Sequence, residues 1–504
     1  MNAPGSNSIN DGVLLALNNL RDIKVNDEDY TVEVAPGNKW VDVYEALAPF
    51  KRYAIGGRLK TIGVPGLTLI GGVSYFLNKY GYTMDNVVSY DVILGNGTSV
   101  QASQDINPEL FWSLKGGAGN FGLVTKFVMK TYDVPLVTST TQVFNESAVP
   151  AFIKATCDMV LSEDGSVGAG AVINLNYNVS TKLVTPQIFG LQETTESPPS
   201  RFANFTAIPA VKRIHNVTEP VHWHSKLESP NQMFRIQFGH HTIKPDADQL
   251  FWVYQQWRNA VEDIADVKGI LPTLVLNSAP KSAAAVGKNN GVGNAFGLDT
   301  EESYIWWQIA TSWDRPEDDL RVEAWAKNLL GRLHKANKDK GLATEFLYIG
   351  DAAEWQDPIQ TYGEENLRRL RVARDHANEA NFIKVMFDNM KTRPDADWDK
   401  VAETLGLANS KGAKERFRQM SKKHNWGARE AGSASPAKPA GKSSTAARPH
   451  KPAKVTKTPR KTPAKKKQST RVDAPEPEGP VLESDREEQS SATLNSDEDA
   501  GFEP

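Results

Sequence analysis

Cysteine is almost absent from this chain of 504 residues, which has only Cys157. A single cysteine excludes an internal disulfide, so packing has to stabilise the fold. The chain also has no run of eighteen apolar residues, and its first residues lack the basic start and apolar core of a secretory signal. These absences predict a soluble protein with no membrane partner.

The net charge is small, at -3, because it averages two segments of opposite sign. Residues 438–471 are strongly basic, whereas residues 473–504 are acidic. Charge asymmetry of this kind is typical of tails. The region is also rich in alanine, proline, lysine and serine, which bury too little apolar surface to fold. We therefore expect residues 428–504 to be a disordered tail, first basic and then acidic.

Glycine, by contrast, is concentrated in one otherwise apolar stretch, residues 57–88. Gly63, Gly66, Gly71 and Gly72 lie there beside β-branched residues. Because a glycine has no Cβ and leaves its amide uncovered, this clustering predicts a strand and loop pressed closely against a ligand. The alternative is a set of tight turns between buried strands.

Alternating apolar residues and turn residues predict regular elements on both sides of the glycine-rich stretch. The hairpin prediction rests on an Asn-Gly pair, since both residues accept positive φ, and one helix start rests on a proline. The predicted elements are strands at 13–17 and 30–37, a helix at 40–47, a hairpin at Asn96-Gly97 and a helix at 109–115 after Pro108.

A second glycine cluster follows that last helix. Gly117, Gly119 and Gly122 match the G-x-G-x-x-G spacing of a dinucleotide-binding turn. That turn needs a strand before it and a helix after it, whereas here a helix precedes and a predicted strand, 123–132, follows. The match is therefore not a Rossmann fingerprint, although its glycines can still bring backbone to a nucleotide.

Residues 133–345 alternate predicted strands with two long helical patterns, which indicates an antiparallel sheet covered on one face, the α+β arrangement. His240 and His241 are adjacent on one predicted strand, so at most one of them faces a given side. Tyr304, Trp306 and Trp307 on another strand are typical of core residues. Histidine or tyrosine would suit a general base near neutral pH, but no residue is selected, and the catalytic residues stay unknown.

Several ordered motifs together resemble one known family. They are PGNKWVDVYEAL, the stretch 57–88, the Asn-Gly hairpin, PELFWSLKGGAGNFGLVTKF and TYGEENLRRLR. The chain resembles the berberine bridge enzyme-like branch of the p-cresol methylhydroxylase and vanillyl-alcohol oxidase flavoproteins. The resemblance implies an FAD-binding domain, a substrate domain whose sheet covers the isoalloxazine, and an FAD-linked oxidoreductase. Such enzymes oxidise an alcohol, amine or related carbon by hydride transfer to the flavin, with dioxygen as acceptor.

The family's cofactor contacts match sixteen positions of this chain. They are Gly63, Val64, Gly66, Thr68, Leu69, Gly71, Gly72, Tyr80, Gly81, Asn86, Val87, Gly122, Val124, Tyr348, Tyr362 and Asn366. The family's first covalent flavin anchor is the histidine of a Gly-Gly-His loop, which would end just before Met1, and Leu59 takes the place of the cysteine anchor. The resemblance therefore implies FAD bound without a covalent link, in a domain whose N-terminal part is missing.

A second resemblance begins near residue 380. Residues 385–427 resemble the Myb/SANT-like three-helix module of fungal nuclear proteins, with Trp398 and Phe417 at about the family's spacing of core aromatics. Four basic residues would then face DNA. They are Lys411, Lys414, Arg418 and Lys422. The alternative is an ordinary basic surface on a small bundle. The basic run of the tail is typical of nucleic-acid binding or nuclear import, so we predict DNA contact through 385–471.

Together these patterns predict five segments: an FAD-binding domain, 1–132; a substrate domain, 133–345; a segment returning to the FAD domain, 346–384; the three-helix module, 385–427; and the tail, 428–504. A small-molecule substrate and dioxygen are the expected partners. Two alternatives stay open: a nuclear DNA- or chromatin-binding protein with an inert oxidase-like part, and two neighbouring genes merged into one reading frame.

Overall fold

The computed structural model describes residues 15–227 and 235–377, together with a few isolated positions from 398 to 418. Apart from those positions, the predicted three-helix module and the tail lie outside the described residues. Among the described residues no helix is long and apolar enough to cross a membrane.

The strands, in chain order, are β1 Ile23–Asn26, β2 Thr31–Val34, β3 Arg52–Tyr53, β4 Val87–Ile93, β5 Ser99–Ser103, β6 Leu123–Lys130, β7 Tyr132–Asp133, β8 Val137–Val143, β9 Ala169–Asn178, β10 Leu183–Gln192, β11 Lys212–Thr218, β12 Arg235–Ile243, β13 Leu271–Ala279, β14 Tyr304–Trp313 and β15 Ala343–Thr344. The α-helices are α1 Trp40–Leu47, α2 Val64–Leu69, α3 Leu77–Tyr80, α4 Pro108–Leu114, α5 Val149–Leu161, α6 Ala203–Thr206, α7 Pro220–Lys226, α8 Ala247–Val261, α9 Lys281–Asn289, α10 Asp319–Asp339 and α11 Glu364–Ala377.

Two large antiparallel sheets and a two-stranded one, β3-β7, organise these elements. The first, of five strands, has the order β1-β2-β6-β4-β5. The second, of eight strands, has the order β11-β8-β10-β9-β13-β14-β12-β15. Helix α11 brings the chain back to the first sheet, where Arg369 pairs with Glu109 at 2.7 Å and lies over the Trp112 ring.

The eight-stranded sheet has two different faces because neighbouring strand residues point in opposite directions. Helices α5, α8 and α10 cover one face, where Trp307, Ile309 and Leu276 are fully buried. The other face packs against the five-stranded domain and the return segment, in a cluster that includes Trp306 and Tyr348. The predicted antiparallel sheet is confirmed, but both of its faces are covered.

The glycine-rich stretch differs from the expectation of a strand. It forms the short helices α2 and α3, with no strand between β3 and β4. Pro65 stands in the first turn of α2, a position that proline favours, and Gly63 forms its N-cap. Gly71 and Gly72 then adopt φ values of 104° and 84°, which helical L-residues rarely take.

Most flanking predictions are confirmed: α1 spans 40–47, β4 and β5 form the predicted hairpin, and α4 and β6 surround the second glycine cluster. The order of helix, glycines and strand confirms that this cluster is not a Rossmann turn. Residues 15–17 of the first predicted strand are not in a strand, because β1 begins only at Ile23.

Candidate active site

Three glycines of the two glycine clusters face open space, as does Gly97 in the turn of the β4–β5 hairpin. A Cβ built on Gly63, Gly66 or Gly119 would meet no heavy atom within 4 Å. We call these three residues the open glycines. Gly63 and Gly66 are also exposed, at the start of α2. The backbone at these positions is therefore accessible, which close contact with a ligand would require.

Other glycines of the same stretch are packed against an aromatic ring. A Cβ on Gly71 would lie 2.2 Å from the ring of Phe296, and one on Gly116 would lie 3.1 Å from it. Phe296 is buried and meets Tyr82 and Tyr362 edge-on, with ring centroids 5.4 and 5.3 Å apart. This ring therefore occupies the space that the two glycines leave.

The loop that carries Phe296 is tied down by a buried carboxylate. Asp85 accepts hydrogen bonds from Asn290 and Asn294, at 3.1 and 2.9 Å, and from the backbone of Tyr82. Burial raises the pKa of Asp85, and these donors together with Lys115 offset part of that rise. Burial also lowers the pKa of Lys115 to about 8, against the opposing effect of Asp85.

The return segment closes the aromatic cluster from the other side. Tyr348 stacks on Trp306 of β14, with centroids 4.9 Å apart. Tyr362 donates to the Gly116 carbonyl at 3.1 Å, and Asn366 donates to the carbonyl of Ala295 at 3.2 Å. These three family-matched residues therefore meet Gly71 and Gly116 around Phe296.

A polar network crosses from the five-stranded domain to the eight-stranded sheet. Arg58 donates to the Ala171 carbonyl at 3.1 Å and to the Asn277 side chain at 3.0 Å. Asn277 donates in turn to Asp351 at 2.8 Å. Burial raises the pKa of Asp351 to about 6, while Arg58 and the amides of Asn277 and Gln308 offset part of the effect. A carboxyl group with such a pKa can exchange a proton near neutral pH.

The two adjacent histidines point to opposite faces, as predicted. His240 lies on the face toward the return segment, and its Nε2 accepts the backbone N–H of Tyr348 at 2.7 Å. His241 stacks on His334 of α10, with centroids 3.7 Å apart. Burial lowers the pKa of His240 to about 3 and that of His241 to about 2, so both are neutral.

The remaining family-matched residues make contacts within the protein. Tyr80 donates to Glu193, and Asn86 bonds the backbone of Tyr80 and accepts from Tyr132. The others support turns or pack in the core. Val64, Thr68, Leu69, Val87 and Val124 are buried, whereas Gly72, Gly81 and Gly122 have positive φ and would clash with neighbours if they carried a Cβ.

Two features show how well these residues fit FAD: the open space at the open glycines and the buried polar atoms that lack a hydrogen-bond partner among the described residues. The open glycines leave room that a side chain would fill, which suits backbone contact with a flat or phosphorylated ligand. The hydroxyls of Tyr82 and Thr83, next to Gly72, are buried and have no hydrogen-bond partner among the described residues. The open glycines and these two hydroxyls therefore fit the cofactor, whereas at Gly71 and Gly116 the ring of Phe296 fills the space.

The sequence is similar to known flavoproteins. The FAD binding domain family matches residues 2–103. An FAD-dependent monooxygenase of Aspergillus calidoustus is 30% identical over 380 residues, which cover 73% of this chain and 71% of that protein. The chain belongs to the FAD-linked oxidoreductases. A further FAD-linked oxidoreductase, of Arthroderma benhamiae, is 32% identical over 328 residues, 63% of this chain and 64% of that protein.

Solved structures share the fold of this FAD-linked oxidoreductase. The 6-hydroxy-D-nicotine oxidase of Arthrobacter nicotinovorans aligns with a TM-score of 0.59 and 18% identity, over 75% of this chain and 82% of that one. A berberine bridge enzyme variant aligns with a TM-score of 0.57 and 15% identity, over 72% of this chain and 78% of that one. The predicted resemblance to the berberine bridge enzyme-like fold is thus supported.

Sequence reasoning did not find several residues of this oxidoreductase's candidate site. Phe296, Asn277 and Asp351 each come from a segment far along the chain from the glycine-rich stretch, so no local pattern indicates them. One local feature could have indicated Arg58: it directly follows the pair Gly56-Gly57 at the start of the glycine-rich stretch.

Proposed function

We propose that this FAD-linked oxidoreductase oxidises a small organic alcohol, amine or related compound and returns the electrons to dioxygen. The observation that carries the proposal is the position of the Arg58–Asn277–Asp351 network. This network connects the five-stranded domain, which carries the open glycines, to the face of the eight-stranded sheet that presents Asn277. Cofactor and substrate can therefore meet between the two sheets. When bound, FAD supplies the acceptor for a hydride from the substrate carbon.

The open glycines hold the cofactor through backbone contacts, and the hydroxyls of Tyr82 and Thr83 supply further hydrogen bonds. We propose that the cofactor is bound without a covalent link. Leu59 supports this, because its side chain has no nucleophile at the place where some family members have a cysteine.

Asp351 is the proposed proton acceptor for the substrate hydroxyl or amine. Its pKa of about 6 lets it accept a proton at neutral pH and release it again to water. His240 is less suited, because burial makes it a weak base and its Nε2 already accepts the Tyr348 N–H. Trp306 and Tyr348 exclude water from the same region by stacking.

A pair of glycine variants tests the cofactor site. A leucine at Gly66 would enter open space, so we expect Gly66→Leu to fold normally but to lose FAD. Gly331 of α10 is the matched control, since a Cβ there also meets nothing within 4 Å. The measurement is the ratio of flavin to protein absorbance after gel filtration of the full chain with added FAD. Equal ratios for wild type, Gly66→Leu and Gly331→Leu would show that the placement is wrong.

Turnover tests the reaction itself. Wild-type protein loaded with FAD should form hydrogen peroxide in air with some members of a panel of small alcohols and amines. Under anaerobic conditions the same compounds should bleach the flavin absorbance. Bleaching without peroxide in air would mean that the acceptor is not dioxygen, and no bleaching with any member would contradict the proposed reaction.

A separate proposal concerns DNA contact through residues 385–471. Lys411 and Lys414 are exposed, whereas Arg418 pairs with Glu415 at 2.7 Å; Lys422 lies outside the described residues. Each phosphate contact contributes about 0.9 to the slope of log affinity against log salt concentration. Binding of duplex DNA by the full chain, measured at several salt concentrations, should therefore weaken steeply as salt rises. A slope near zero would contradict this proposal.

A further inference from the structure

Beside the candidate active site, two buried hydroxyl groups have no hydrogen-bond acceptor in the described part of the chain. Ser74 and Tyr75 are almost fully buried, and neither hydroxyl donates a hydrogen bond among the described residues. The buried indole of Trp223 lies edge-on to Tyr75, with centroids 6.4 Å apart, and its N–H acts as a donor toward the Tyr75 oxygen, which leaves the Tyr75 O–H free to donate. Leaving a buried polar group unpaired is unfavourable, so such a cluster needs a reason.

Arg58 adds a positive charge to the same place. Its two described hydrogen bonds go to neutral oxygens, the Ala171 carbonyl and the Asn277 amide, and it forms no ion pair among the described residues. Arg58 also lies close enough to Tyr75 to counter the effect of burial, which raises the pKa of that phenol to about 12. At neutral pH Tyr75 therefore remains a hydrogen-bond donor.

Three of these groups, Arg58, Ser74 and Tyr75, line one small cavity of about 20 Å³, which Trp223 does not border. Arg58, Ser74 and Tyr75 form one side of it, and Ala171 and Ser278 of the eight-stranded sheet form the other. A volume of this size holds about one or two oxygen atoms. The one carboxylate on its rim, Glu163, is already paired with Arg201 at 2.5 Å. The cavity thus offers donors and a positive charge to a small acceptor.

We propose that this cavity binds the carboxylate of the substrate, so that the enzyme acts on small organic acids with an oxidisable carbon near the acid group. The inference rests on the proposed function. A planar guanidinium recognises a carboxylate through paired N–H groups, and the hydroxyls of Ser74 and Tyr75 satisfy the remaining lone pairs. The Arg58–Asn277–Asp351 network then places the carboxylate and the proton acceptor on opposite ends of one chain of hydrogen bonds.

The test uses benzoate as probe and benzamide, its neutral counterpart, as control, with the full chain and no added FAD. Benzoate should raise the unfolding temperature of the wild type, and benzamide should not. Arg58→Gln should weaken benzoate binding at least tenfold by titration calorimetry. Arg321→Gln, which changes an exposed arginine paired with Asp266, should bind benzoate like the wild type. Equal binding of benzoate and benzamide, or equal binding by Arg58→Gln and wild type, would overturn the proposal.

Tyr75→Phe separates a ligand role from a structural one. Because the hydroxyl donates no hydrogen bond to any residue that the structure describes, its removal should leave the unfolding free energy unchanged or slightly higher, yet weaken benzoate binding. A loss of stability with unchanged benzoate binding would assign Tyr75 to the fold and contradict the subsite. The benzoate measurements need no flavin. Loss of FAD from the wild type would therefore refute the proposed function, whereas the carboxylate subsite would be judged on benzoate binding alone.

Discussion

The two faces of the eight-stranded sheet have the same strands but different chemistry. Toward helices α5, α8 and α10, strand β14 presents Ile305, Trp307 and Ile309, which are apolar apart from the indole N–H, and one buried hydroxyl, that of Thr311. On the opposite face, toward the five-stranded domain, the same strand presents Gln308 between Trp306 and Ala310, and β13 presents Asn277. Buried polar groups are expensive to keep. One face therefore stabilises the fold, and the other keeps groups that a ligand can use.

The largest expected effect is on the helix-covered face. Trp307 is fully buried, so Trp307→Ala should lower the free energy of unfolding by about 3–5 kcal/mol through lost burial and the cavity left behind. Denaturant unfolding measures this loss. Leu320→Ala is the control, since Leu320 is 80% exposed on α10 and should matter little. Similar losses in the two variants would refute a core role for this face.

Asp351, which bonds Asn277 of the polar face, should make the stability of the protein depend on pH. Because its pKa is raised to about 6, the folded protein holds the proton that the unfolded chain releases, and stability is lost as pH rises from 4 through 6. Asp351→Asn removes this effect, so its stability relative to wild type should rise by up to about 3 kcal/mol between pH 4 and 7.

Asp266 is a control of opposite sign for that measurement. Arg321 holds the pKa of this exposed carboxylate below its usual value, so its contribution to stability is lost as pH falls. Relative to wild type, Asp266→Asn should therefore lose stability as pH rises. Parallel stability curves for Asp351→Asn and wild type would contradict the raised pKa of Asp351.

His241 on the helix-covered face should make the protein sensitive to acid. Burial lowers its pKa to about 2, so the unfolded chain takes up a proton that the folded protein does not. Stability attributable to this group is present above pH 6.5 and falls as pH decreases, by about 2 kcal/mol at pH 5. His241→Phe should therefore unfold with a shallower pH dependence between 5 and 7. An unchanged pH dependence would show that His241 is protonated in the folded state.

The smallest expected effect on stability comes from changing a threonine to valine, once on each face of the sheet. Thr242 donates to the Phe346 carbonyl at 2.6 Å, so Thr242→Val should cost about 1 kcal/mol by leaving that carbonyl unpaired. Thr311 is equally buried, but its hydroxyl has no partner among the described residues. Thr311→Val should then be neutral or stabilising. Equal effects of the two variants would mean that the hydrogen bond of Thr242 adds nothing.

Local patterns predicted the elements whose signals are contained within a few residues. Helix α1, the Asn96-Gly97 hairpin and the opposite directions of His240 and His241 follow from periodicity and turn chemistry. The prediction of a strand in the glycine-rich stretch was wrong, because Pro65 and the two glycines with positive φ outweigh the β-branched residues around them.

The candidate site depends instead on long-range contacts. Arg58 and Asn277 are 219 residues apart, and Tyr362 bonds Gly116 across 246 residues. The hydrogen bonds of these residues are set by how the two sheets pack, and no periodicity within either segment encodes that packing. Family resemblance located the glycines, Tyr348, Tyr362 and Asn366, but it did not single out the polar network.

The return of α11 to α4 has a consequence for synthesis. The five-stranded domain is completed by a helix that leaves the ribosome only after the whole eight-stranded sheet has been made. Until then Trp112 lacks the Arg369 side chain that covers it, and Gly116 lacks its bond to Tyr362. Domains usually fold in the order in which they are synthesised. Here the inserted sheet can fold while the domain that surrounds it in sequence is still waiting for its last helix.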